Sequence, residues 1–108
     1  MSSETPVLDL LATMTAESLE ATSLDAATVA LVRLAALVAS GAPTASYVVN
    51  LPAALDVGLE LEDIQGVLTA IAPIVGTSRV VAASGRIATA VGVAIAVVEA
   101  ELDALDED

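Results

Sequence analysis

Apolar residues in this chain recur every three or four positions, not every second one, and the runs break at Pro, Gly and short acidic clusters. That spacing belongs to helices. Strand signals are weak, because the apolar runs are long, Ala-rich and do not alternate. Five helices are predicted. In Thr5 to Ala21, Val7, Leu10, Leu11, Met14 and Leu19 fall near one face, with Glu4 and Asp9 near the positive end of the helix dipole. "SLDAATVALVRLAALVASG" follows, with Asp25 as N-cap, Gly41 as stop, and Leu31, Leu34, Ala35 and Val38 as its inward stripe.

"PTASYVVNLPAALDVG" places Pro43 in a first helical turn, a kink at Pro52, and its end at Gly58. "ELEDIQGVLTAIAPIVG" opens on three acids, shows Ile64, Val67, Leu68, Ile71 and Val75 on one face, and closes at Pro73 and Gly76. The last segment runs from Thr77 to about Leu105, capped by Thr77 or Ser78, and is nearly apolar all round between Ile87 and Val98. A helix of that kind is expected to be buried on every side, in a core or between subunits. The whole reads as one all-α domain, 1–108, with an acidic helix at 1–23, a core at 24–98 and an acidic tail at 99–108.

Composition changes the picture in two ways. Hydrophobic residues make up 56% of 108, yet there is no Phe and no Trp, and Tyr47 is the single aromatic. A core without large rings is assembled from Ala, Val and Leu, and buries modest area per residue at about 25 cal/mol per Å². Homo-oligomerisation is expected to add burial. The net charge of −12 comes from 15 acids and 3 arginines, with no lysine, and the acids gather at the two ends. Three cations neutralise few phosphates, so nucleic acid and anionic lipid are disfavoured as partners.

The chain contains no Cys and no His. Thiolate chemistry, Cys-ligated metal and the usual imidazole proton shuttle are therefore absent, and neither a cofactor nor a metal is expected. The start "MSSETPVLDLLATMTAE" lacks the basic n-region of a secretory signal, which makes a cytoplasmic location the expectation. A membrane span is disfavoured: the longest apolar windows carry Arg33 and Arg86, and aromatic belts and basic loops are missing.

"LDAATVALVRLAALVASG" and "AALDVGLELEDIQGVLTAIAPIVG" carry a family likeness. Over about residues 24 to 90 the chain resembles the carboxymuconolactone decarboxylase / alkyl hydroperoxidase D-like family, as a divergent member without its Cys-x-x-Cys…His motif. The resemblance implies a compact all-α, alkyl hydroperoxidase D-like bundle that assembles as a homo-oligomer, a trimer or hexamer. It also implies where the family's reactive groups would fall: the peroxidase branch's two Cys and His at Pro43, Ser46 and Asn50, its relay acid near Leu31, and the decarboxylase His at Asn50. None of these positions keeps its group, so the resemblance carries the fold without the activity. The chemistry agrees, because peroxide reduction needs a thiolate. A serine hydroxyl needs a base, and the nearest acid after Ser46, Asp56, lies ten residues on, roughly 15 Å along a helix axis.

Ser46, Tyr47 and Asn50 form the only polar cluster in that region, and Arg33 interrupts an apolar stripe. One reading makes Ser46 a packing residue, Asn50 a tie to the backbone near Pro52, Tyr47 a core or interface residue and Arg33 half of an ion pair. The other makes all four the wall of a pocket for a small apolar or carboxylate ligand, with Arg33 gripping the carboxylate. Arg79 and Arg86, seven apart, share a face and would bridge to acids of a neighbouring subunit. The tail "EAELDALDED" lacks the glycine turn and alternating ligands of a calcium loop.

The expectation that follows is a catalytically degenerate, non-redox homo-oligomer, structural or ligand-binding. The competing one is a repurposed cofactor-free lyase or isomerase acting on a small organic acid or polyketide-like substrate. No residue is assigned a catalytic role. Purified, metal-free protein should reduce no organic peroxide and decarboxylate no lactone above buffer rates; sustained turnover of either would overturn this reading.

Overall fold

The computed structural model describes residues 4–106, with the side chains of Ala94 and Asp106 left aside. Five helices follow in order: α1 (Pro6–Ala21), α2 (Ala26–Ser40), α3 (Thr44–Asp56), α4 (Leu61–Val75) and α5 (Thr77–Asp106). Among the described residues there is no strand. The all-α five-helix bundle expected from periodicity is the fold observed.

Local chemistry explains most boundaries. The Asp25 carboxylate accepts from Thr28 N at 2.8 Å, which satisfies one of the unpaired donors at the start of α2. At its other end Gly41 is left-handed (φ 69°), Gly41 N donates to Val38 O at 3.1 Å and Ala42 N to Leu37 O at 3.0 Å. That bond pair closes the last turn and folds Ala42 into the core. α3 ends by the same device: Gly58 takes φ 91° and Leu59 N reaches back to Ala54 O at 3.1 Å, burying Leu59. α4 opens on a capping box, in which Glu60 N donates to the Asp63 carboxylate at 2.8 Å and the Glu60 side chain accepts from the backbone of Asp63.

Three proline and cap assignments shift. Pro43 is the N-cap of α3, with ψ 164°, one residue before the first turn. α3 continues through Pro52 to Asp56 as expected, but α4 continues through Pro73, so Gly76 (φ 97°) alone closes it. A proline removes one backbone bond, and the packing of the helix on its neighbours carries it past that loss. Thr77 is the first residue of α5, not a residue outside it, and Val80 N donates to Gly76 O at 3.2 Å in the opening turn.

Leu34 and Val38 of α2, Tyr47 and Leu51 of α3, Ile64 of α4, and Ala83, Ile87 and Ala90 of α5 form one buried cluster. Tyr47 is wholly buried and is the largest side chain in it. Ala83 and Ala90 leave room for α5 to approach the ring closely. Val67, Leu68, Ile71 and Val75 pack against the cluster as their shared face predicts, while Leu31 and Ala35 are only half-buried.

Two expectations about burial fail inside the chain. α1 buries no residue, and Val7, Leu10, Leu11, Met14 and Leu19 are all exposed. α5 buries its first half only, leaving Val93, Ile95, Val97 and Val98 exposed. The cause is geometric: α5 has 30 residues, about 45 Å of helix, whereas the helices it packs against have 13 to 15. By length and composition α5 could cross a membrane, with Arg86 inside the span.

Leu34→Ala should cost about 2–5 kcal/mol by removing bulk from the cluster. Ile74→Ala, at a residue 88% exposed on α4, should change stability by under about 0.5 kcal/mol. Equal effects on chemical denaturation would contradict the core described.

Candidate functional site

α2 and α3 diverge enough to leave a cavity of about 100 Å³ between them, with Leu19 of α1 at its edge. The wall on α2 is Ala26, Ala30, Arg33 and Leu37; that on α3 is Tyr47, Asn50, Ala54 and Val57. Each set advances by three or four residues, so each is one helix face. The lining is mainly apolar. Small alanines on both walls create the space, since a leucine at Ala30 or Ala54 would fill it.

Arg33 is the one charged residue of the lining. Its stem lies along the apolar wall and Nη2 donates to Thr15 O of α1 at 3.2 Å. The acid partner expected for it is not found among the described residues: one guanidinium N–H is taken by a carbonyl, and no carboxylate lines the wall to compensate the charge. Arg79 behaves likewise, donating through Nη1 to Ala39 O of α2.

Asn50 Nδ2 donates to Ser46 O at 2.8 Å. The amide is thus tied to its own helix one turn back, and the residue lines the cavity. Ser46 is half-buried and does not line the cavity. The four-residue spacing that put Ser46 and Asn50 on one face is correct, but the contact between them runs to the serine's carbonyl, not its hydroxyl. Of Pro43, Ser46 and Asn50, only Asn50 reaches the cavity; Pro43 is exposed at the start of α3.

Tyr47 lines the cavity and is fully buried, and its hydroxyl has no hydrogen-bond partner among the described residues. Burial pushes its pKa above 10.0, and the positive charge of Arg86 on α5 pulls the other way. A buried hydroxyl without a partner costs about 1–3 kcal/mol. Among the described residues no group of three His, Cys, Asp or Glu could hold a metal ion.

The sequence argument missed the apolar wall. The signal was present in the matched steps 26, 30, 33, 37 and 47, 50, 54, 57, two faces that can oppose each other only if the helices run side by side.

Comparison with known proteins adds a family. The profile described as carboxymuconolactone decarboxylase family matches residues 6–90, and the chain belongs to that family. No curated protein and no solved structure matches the chain.

Because Tyr47 is the single tyrosine, phenolate absorbance reports it alone. The folded pKa lies above the unfolded one, so Tyr47 favours the fold fully below pH 10 and loses that contribution as pH rises past it. Phenolate absorbance should therefore appear together with loss of helical signal. Tyr47→Phe should remove that alkaline step and raise stability at neutral pH by about 1 kcal/mol. Ionisation near 10 with the helices intact would contradict the burial.

Proposed function

We propose that this member of the carboxymuconolactone decarboxylase family is a non-redox, homo-oligomeric binding protein for a short monocarboxylate. The observation that carries the reading is the cavity between α2 and α3: apolar walls and a single cation, Arg33, with no acid beside it. In a protein of net charge −12, a local site without a carboxylate is where an organic anion is least repelled.

Size sets the ligand. The cavity holds about three water volumes, enough for a three- or four-carbon tail. The carboxylate would rest on Arg33, whose planar fork offers donors beyond the one used on Thr15 O. The Asn50 amide has one further N–H for the same group. A general base is not among the lining residues, and the chain has neither thiol nor imidazole, which favours binding over turnover.

Self-assembly is part of the reading. α1 exposes Val7 and Leu8, α3 exposes Val49 at 74% and α4 exposes Ile74 at 88%. Covering such residues with a second copy supplies burial that a core of Ala, Val and Leu lacks.

Isothermal titration with butyrate tests the proposal. Butyrate has six non-hydrogen atoms and gains at most about 1.5 kcal/mol from each, so its Kd is no tighter than about 0.3 μM. Butylamine should not bind. Arg33→Gln should weaken butyrate by about tenfold or more, and Ala30→Leu should fill the cavity and abolish binding, both with oligomer mass unchanged. Butyrate that fails to bind, or binds equally to Arg33→Gln, would refute it.

A further inference from the structure

The core-facing residues of α5 are Val80, Ala83, Ile87 and Ala90, in steps of three and four, with half-buried Val91 packed at the edge of the same core. The next positions in that stripe include Val97 and Glu101, so the stripe runs out into charge. Beyond Ala90 no described side chain of α5 is buried, and the family match ends at the same residue. Residues 91–106 are thus a helical arm, about 24 Å long, added to the family core.

This arm has a second apolar pattern, rotated by one residue from the first. Val91, Ile95, Val98, Leu102 and Leu105 are spaced four, three, four and three. That is the heptad seam by which one helix packs along another. Ile95, Val98, Leu102 and Leu105 are 53 to 73% exposed, so nothing in the chain covers them. In heptad register, with Ile95 and Leu102 at a, the rows beside the seam hold Glu99 and Asp106 at e and Glu101 at g. Both flanks are acidic.

Charge decides what fits. A second copy of the arm would set these acids against each other, e against g in parallel pairing and like against like in antiparallel pairing. Other surfaces of a second copy offer little relief. The chain has no lysine, Arg33 and Arg79 are bonded to the carbonyls of Thr15 and Ala39, and Arg86 is half-buried near Tyr47. A bilayer fits no better, because the arm is shorter than a hydrocarbon core of about 30 Å and carries Glu99, Glu101 and Asp103.

We propose that residues 91–106 of α5 are a docking arm for an amphipathic helix of another protein, one whose apolar heptad seam is flanked by Lys or Arg. The apolar seam supplies affinity, and the acidic flanks select a cationic partner over a second copy.

Two labelled synthetic peptides test it against the full-length protein by fluorescence anisotropy. They share an Ile/Leu heptad seam; one has Lys and the other Glu at its e and g positions. The Lys peptide should bind about tenfold or more tighter, since several flanking pairs change from repulsion to attraction. Its affinity should fall as salt rises. Leu102→Glu should abolish binding and Val98→Ser should weaken it, with helical signal and melting unchanged because both residues are exposed. Equal binding of the two peptides, or binding of neither, overturns the proposal. So does a fall in oligomer mass caused by Leu102→Glu, which would show a second copy on the seam. Co-sedimentation of the unmodified chain, but not Leu102→Glu, with phosphatidylcholine vesicles overturns it as well.

Discussion

The packing of four helices around one buried ring is the contact on which the rest of this structure depends. Tyr47 is the only aromatic side chain in 108 residues, it is fully buried, and residues of α2, α3, α4 and α5 share its cluster. The remaining bulk comes from Leu, Ile and Val, and Ala83 and Ala90 admit α5 against it. The hydroxyl that comes with the ring has no partner among the described residues. The fold tolerates that loss because the ring's apolar area outweighs it: an aromatic residue buries about 150–250 Å², worth about 4–6 kcal/mol at 25 cal/mol per Å², against about 1–3 kcal/mol for the stranded group.

A core of this kind is narrow, and its narrowness shapes everything outside it. Short helices of 13 to 15 residues close around the ring, while α1 and the second half of α5 lie beyond its reach. Their apolar residues stay on the surface. The acids sit in α1, at the start of α4 and along the arm of α5. The cavity opens beside the ring: Tyr47 forms part of its lining, and the alanines of α2 and α3 leave the rest of the space unfilled.

The family relation has to be read with the residues that are missing. Membership extends over residues 6–90, and the chain contains neither Cys nor His. What survives at the cavity is a single cation tied to a carbonyl and an amide tied to its own helix. Both are positioned groups, and neither moves a proton near neutral pH. The anion-binding role proposed above rests on that lining.

Local chemistry was legible in the letters. The helix periods, the Asp25 cap, the Gly41 and Gly58 closures and the acidic opening of α4 each depend on residues within one or two turns, and each was read correctly. Asn50's tie to Ser46 O, four residues back, was legible for the same reason. Tertiary structure alone decided the matters that depend on distant segments. It gave Arg33 the carbonyl of Thr15 in place of an acid, and kept Ser46 out of a cavity that Tyr47 and Asn50 line. It let α4 run through Pro73, and among the described residues it left the apolar faces of α1 and late α5 without a cover. A periodic pattern states which side of a helix is apolar. Whether another helix lies within reach of that side depends on where the chain returns in space, and the pattern contains no such distance.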